Sequence, residues 1–167
     1  NSGQRCTAIR RVIVTRPNHK AFVAALEAAA ARLAYGDPLD EQVDMGTVIS
    51  ERSAKRIQRR VREALRDGAR LVLGNVRRGA LLAPTVLDDV RVTSTLVARE
   101  TFGPVAAVIR ARNLDHANHL TVFLAEEHHG SEASRLLNRR KERAHRGILE
   151  DFVVHDLFNA GELIHRQ

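Results

Sequence analysis

The chain has 167 residues, 44% of them hydrophobic, which is enough for one domain of ordinary size with a real core. Aromatics make up 4% with no Trp, so that core must be built from Val, Leu, Ile and Ala, and the formal charge of +7 raises the question of an anionic partner. One cysteine excludes an internal disulfide framework and fits a reducing cytoplasm, and no run approaches the ~18 apolar residues of a membrane span or resembles an export signal.

Ile9 to Thr15 ends in a β-branched run and reads as a strand. Pro17 and Asn18 then open a helix with Asn18 as its N-cap, and Phe22, Leu26, Ala29, Ala30 and Leu33 recur on one face. Gly36-Asp37-Pro38-Leu39-Asp40 is a turn-rich connection. The next helix runs from about Ser50 to Asp67, with Ile57, Val61, Ala64 and Leu65 on one side and Gly68 at its C-terminal stop.

Arg70 to Leu73 is a short strand. Leu81 to Leu87 is apolar enough for another, with Pro84 pushing it toward an edge or an end. Val105 to Arg110 is a continuous apolar run, suited to a strand covered on both faces. Strands alternating with helices predict an α/β layer with a largely parallel sheet flanked by helices. After about Ala117 the character changes. Seven of the eight histidines lie between His116 and His165, helices are expected over 120–127 and 131–143, and the first convincing strand is Phe152-Val153-Val154.

Residues 1–115 carry 20 bases against 12 acids, while 116–167 carry 7 against 8. Much of the excess is the series Arg52, Lys55, Arg56, Arg59, Arg60, Arg62, Arg66 and Arg70. A nucleic-acid surface would interleave aromatics for stacking or carry a recognisable module. This stretch has neither, so a solvated helix face is the preferred reading. A non-catalytic basic protein contacting nucleic acid or a partner through residues 52–70 is the rival.

The histidines invite a metal reading, since His116 and His119 are three apart and Glu126 and Glu127 precede His128 and His129. No His-Glu-x-x-His run and no cysteine partner accompany them, so accidental enrichment is preferred and no metal is expected.

The only cysteine sits in Gly3-Gln4-Arg5-Cys6-Thr7-Ala8, and Glu100-Thr101-Phe102-Gly103-Pro104 follows. Between them stand Tyr35-Gly36-Asp37-Pro38, Asp44-Met45-Gly46-Thr47-Val48-Ile49, Gly74-Asn75 and Ala83-Pro84-Thr85-Val86. In this order the segments resemble the catalytic domain of NAD(P)-dependent aldehyde dehydrogenases. Within that family the cysteine segment looks most like the phosphonoacetaldehyde dehydrogenases, followed by the non-phosphorylating glyceraldehyde-3-phosphate and the lactaldehyde dehydrogenases.

The resemblance covers residues 1–117. The portion 118–167 departs from it, as a frameshifted or recombined tail would, and the start at Asn1 suggests a partial chain. The upstream Rossmann-type domain and the general base of the family are then missing, and turnover by this chain alone is not expected. No glycine-rich dinucleotide fingerprint is present.

The resemblance implies Cys6 as nucleophile, Glu100 as acceptor for the nicotinamide ribose hydroxyls and Phe102 as a packing surface for the nicotinamide of NAD or NADP. It also implies a small aldehyde as substrate and a homo-oligomeric assembly. A thiol suits this chemistry because it attacks carbonyl carbon well and its acyl ester still hydrolyses readily. A free thiol of pKa ~8.5 is mostly protonated at neutral pH, so such a site must favour the thiolate, and Arg5 can contribute fixed positive charge. A guanidinium also matches phosphonate or phosphate oxygens, which makes Arg5 a candidate anchor for an anionic aldehyde.

Overall fold

A computed structural model describes residues 2–9, 11–129 and 152–155 of the chain. The first expected strand forms as β1 (Arg11–Thr15), buried at all five positions. It lies parallel to β6 (Val105–Ala111), with Arg11 opposite Ala107 and Thr15 opposite Ala111. β6 is in turn parallel to β5 (Thr85–Asp88). These three strands are apolar on both faces, as a sheet centre covered by helices requires.

Two antiparallel strands complete the sheet. β2 (Arg70–Leu73) pairs with β5, and β7 (Phe152–His155) pairs with β1, giving the order β2-β5-β6-β1-β7. The strand expected at 152–154 is therefore present. The helix expected over 131–143 lies outside the described residues.

Helix α1 (Arg16–Ala31) follows β1 without a break. Its N-cap is Thr15 rather than Asn18, and Thr15 makes no side-chain cap bond. Pro17 sits in the first turn, where its missing N–H has no partner to lose, so the helix starts earlier than the polar residue suggests. Val23 packs on Val12, Val14 and Val108, with Phe22 and Leu26 at the margin. The apolar face predicted to reach Leu33 stops short, because the helix ends at Ala31 and Leu33 is 43% exposed.

Helix α2 (Glu51–Arg66) is capped by Ser50, whose Oγ accepts the Ser53 N–H at 3.2 Å. Gly68 ends it at φ +102°, the left-handed conformation a C-terminal glycine adopts at least cost. Ile57, Val61 and Ala64 are buried as predicted, against Ile13, Leu87 and Ile109 on the sheet face opposite α1. Short α3 (Thr95–Ala98) and α4 (Leu114–His129) share that face through Leu96, Ala117 and Leu124. The change of composition near residue 117 falls inside α4, not in a linker.

The apolar run 81–87 is not one strand. Pro84, with no N–H and a fixed φ, divides it. Leu81–Leu82 forms β4, which pairs with β3 (Arg77–Arg78) in a separate two-stranded ribbon, and β5 begins only at Thr85.

Candidate active site

The cysteine segment precedes β1 and is held from two sides. On one side, Ser2 Oγ donates to the Gly46 carbonyl at 2.8 Å. The Gln4 carboxamide accepts the Ile49 N–H at 2.7 Å and donates to the Thr47 carbonyl at 3.4 Å. The receiving loop is itself braced. Tyr35 bridges to Met45, Asp44 Oδ2 accepts the Ala34 N–H at 2.8 Å, and Gly46 lies so close to Pro38 that a Cβ there would come within 2.9 Å of the ring. The segments 35–38 and 44–49, far apart along the chain from Cys6, thus form its cradle.

On the other side is the Glu100–Pro104 turn. Gly3 has φ +68°, and a Cβ built on it would overlap the Gly103 carbonyl. Only glycine permits that approach. Gly103 in turn faces Ile57 of α2, whose Cδ1 would lie 2.6 Å from an added Cβ. From this anchored start the chain makes a tight turn, the Ala8 N–H donating to the Arg5 carbonyl at 3.1 Å, and Arg5 and Cys6 emerge on it exposed. The cysteine segment lies at the amino ends of β1 and β6.

The Glu100–Pro104 turn is clasped by a residue whose role the sequence did not reveal. Arg60 of α2 donates from one nitrogen to the Glu100 carbonyl at 2.6 Å and to Thr101 Oγ1 at 2.8 Å. Thr101 is buried, and its hydroxyl also lies within reach of the Leu96 and Arg99 carbonyls. Burial of Arg60, and then the neighbouring Arg56, Arg99 and Arg59, hold its guanidinium below the ordinary arginine range, with Glu63 opposing. Glu100 and Phe102 project outward, Phe102 being 38% exposed. All four predicted site residues therefore sit on two segments that the fold brings into contact.

The remaining family-like segments act as locks. Gly74, at φ +86°, lies against the Pro84 carbonyl. The Asn75 N–H donates to Thr85 Oγ1 at 2.9 Å, and Gln58 Nε2 donates to the Asn75 carbonyl at 3.1 Å. They fix where β5 begins, and so where the turn at 100–104 can pack, since the Thr85 N–H donates to the Pro104 carbonyl at 2.9 Å.

Two cations of the basic helix pair along it, while its basic side chains stay largely exposed. Lys55 pairs with Glu51 at 2.9 Å and Arg59 with Glu63 at 3.7 Å, each one turn apart. His116 and His119 are engaged locally, His116 Nδ1 accepting the Arg112 N–H and His119 Nδ1 lying 2.7 Å from the Asp115 carbonyl. Among the described residues, the side chains that come together with metal-ligating atoms within 4.8 Å are His19, Asp88 and Asp89. This cluster was not foreseen. Arg70 and Arg110 hold the outer carboxylate oxygens of Asp88 and Asp89 at 2.7 and 2.6 Å, so positive charge already compensates the pair.

A family model described as the aldehyde dehydrogenase family matches residues 1–146. The chain is 36% identical over 115 residues to 3-sulfolactaldehyde dehydrogenase of Priestia aryabhattai, covering 69% of this chain and 24% of that protein. It is 38% identical over 120 residues to the NADP(+) succinate-semialdehyde dehydrogenase of Deinococcus radiodurans, covering 70% and 25%. Among solved structures, the NADP-dependent glyceraldehyde-3-phosphate dehydrogenase of Bacillus halodurans C-125, complexed with NADP, superposes with a TM-score of 0.68 at 41% identity over 73% of this chain and 25% of that one. An aldehyde dehydrogenase of Mycobacterium tuberculosis complexed with NAD+ gives a TM-score of 0.68 at 31% identity, over 71% and 26%. The chain spans about a quarter of the length of the curated relatives it matches.

Proposed function

Because the chain belongs to the aldehyde dehydrogenase family, we propose that it carries the thiol-bearing part of a site that oxidises a small aldehyde to its acid with NAD or NADP. The observation that carries this reading is the contact of Gly3 with Gly103, which sets the exposed Cys6 segment against the Glu100–Phe102 turn. Cys6 is the nucleophile. Its sulfur adds to the aldehyde carbon, forming a thiohemiacetal. NAD or NADP, held at its nicotinamide end by Glu100 and Phe102, would supply the acceptor for the hydride on that carbon, and Cys6 would then carry the acyl group as a thioester. Water then releases the acid and restores the thiol.

The residues present fit the nicotinamide end of such a cofactor. Glu100, an exposed residue, is the acceptor for sugar hydroxyls, Phe102 is the packing surface for the nicotinamide, and Arg60 braces the turn that carries both through the Glu100 carbonyl and Thr101. The chain's own contribution is thus to aim a thiol, seat one end of the cofactor and fix their separation.

Arg5, exposed one residue from Cys6, is the anchor for an anionic group on the aldehyde. Relatives named for sulfolactaldehyde, sulfoacetaldehyde and succinate semialdehyde, all aldehydes with an acidic group, support this choice. The division into a family-like portion over 1–117 and a divergent portion over 118–167 remains part of this reading: relatives align over 110–120 residues, while the family model runs on to residue 146. A free thiol suits a reducing compartment such as the cytoplasm. No helix among the described residues is long and apolar enough to cross a membrane.

The half-reaction tests this without demanding turnover. Carbon-13 labelled sulfoacetaldehyde or succinate semialdehyde, mixed with the chain, is expected to give a hemithioacetal carbon signal that disappears in Cys6→Ala. No Cys6-dependent adduct at millimolar aldehyde would refute the nucleophile. Equal adduct formation in Arg5→Gln would remove the anion anchor while sparing Cys6.

A further inference from the structure

At the opposite end of the sheet from Cys6, a cleft of about 440 Å³ opens between α1 and the carboxyl ends of β5 and β6. α1, which follows β1, covers one sheet face, and α4, which follows β6, covers the other. The connections from these two neighbouring strands therefore leave in opposite directions. In α/β sheets, the crevice at the carboxyl ends beside such a point is where ligands bind.

The chemistry of the lining is that of an anion cradle. Arg16, Lys20, Arg70 and Arg110 face it against the carboxylates of Glu27 and Asp88, and Asp89 next to Asp88 is paired with Arg110, so four cations stand against three anions. The first turn of α1 holds no acidic residue and no side-chain cap, and Arg16, His19 and Lys20 near that helix end line the opening.

These are not loose surface bases. Asp88 is fully buried at the end of β5. It accepts from His19 Nε2 at 2.6 Å, from Arg70 at 2.7 Å and from the Asp89 N–H at 2.7 Å. Asp89 adopts φ +53°, a conformation costly for a non-glycine residue, and from there holds Arg110 at 2.6 Å. Two adjacent carboxylates thus pin one imidazole and two guanidinium groups. Each arginine commits one nitrogen to its carboxylate and keeps further N–H donors, with 60% of the Arg70 and 43% of the Arg110 side chain exposed. Val23 and Ala24 add an apolar wall.

We propose that this cleft binds a small phosphate ester, its phosphate held by Arg70, Arg110, Lys20 and the start of α1, and its organic body lying along Val23. The site is independent of Cys6 and of the aldehyde reading.

The experiment is a titration of the full chain with inorganic phosphate, pyrophosphate and glycerol phosphate at constant ionic strength, followed by the ring signals of His19. Saturable shifts are expected, and Lys20→Gln should weaken binding about fivefold, the worth of one charge-assisted contact. The decisive pair is Asp89→Asn and Glu27→Gln. Both remove a negative charge, but only Asp89 pins an arginine, so Asp89→Asn should weaken phosphate binding while Glu27→Gln leaves it equal or tighter.

If both variants bind phosphate more tightly, the cleft is only a basic surface and the proposal falls. It falls equally if no saturation is reached at tens of millimolar phosphate. It also falls if duplex DNA displaces phosphate with an affinity that Asp89→Asn does not lower. Glu27, Asp89 and Lys20 are partly or fully exposed, and a circular dichroism spectrum matching the parent chain confirms that each variant is folded.

Discussion

Gly3 lies against the carbonyl of Gly103, with no room for a single added carbon between them. This one approach couples the segment bearing the thiol to the turn bearing Glu100 and Phe102. Gly3→Ala meets immobile backbone and also a positive φ, so it should cost about 3 kcal/mol and loosen both segments together. Gly103→Ala meets the flexible end of Ile57 and should cost closer to 1 kcal/mol, largely recovered by adding Ile57→Val. Thermal unfolding, with amide exchange at residues 2–9 and 100–104, reads both. Equal costs for the two alanines would contradict the packing described.

Arg60→Met removes the donor shared by the Glu100 carbonyl and the buried Thr101 hydroxyl. The expected loss is about 1–2 kcal/mol, below the full value of a charged hydrogen bond because Arg60 is itself partly solvated. Amide exchange should rise at 100–103 and not at β2. Arg60→Lys should recover less than half, since a compact ammonium on a shorter reach serves two acceptors poorly. Full recovery by lysine would show that charge alone is at work.

Asp88→Asn tests the buried cluster and has a definite pH signature. Burial alone would raise the carboxyl, but Arg70, the Asp89 N–H and His19 hold it below its ordinary value. A depressed carboxylate contributes stability that is present above the unfolded value of about 3.9 and is lost as pH falls through the lower folded value. The variant should therefore be about 2 kcal/mol less stable between pH 5 and 8. The gap should narrow only below about pH 4. A gap that widens toward acid would mean that Asp88 is protonated in the fold.

Arg59 and Arg66 are exposed on α2, and their replacement by Gln should change stability by less than about 0.5 kcal/mol. Neither change should alter mobility with labelled DNA at low salt. Retardation of DNA by the parent chain, lost in these variants, would favour the basic-surface reading of residues 52–70.

Local chemistry that acts over a few residues was legible in the sequence. The β-branched run of β1, the apolar side of α2 and the stop at Gly68 all stand where periodicity and turn preference put them. Errors arose where local signals competed. Asn18 has better capping chemistry than Thr15, yet the strand runs directly into a proline-bearing first turn. Pro84 marked a break, but nothing local told that the two halves would join different sheets.

The site divides in the same way. Cys6, Glu100 and Phe102 were singled out as candidates by their flanking residues. Arg60 was one cation in a run of cations, and what distinguishes it is the carbonyl it meets forty residues later. His19 and Asp88 carry no motif at all. Their pairing exists only because α1 starts beside the end of β5.

Strand β7 gives the tail a duty separate from any chemistry. β1 is buried along its whole length, yet it is the last of the parallel strands, and its outer side is occupied by Phe152–His155 from the far end of the chain. Trimming the polypeptide before that segment would convert an interior ladder into an open template for another molecule. Proteolytic clipping should therefore be followed by self-association, with the loss of a dispensable-looking extension deciding whether the protein stays dispersed.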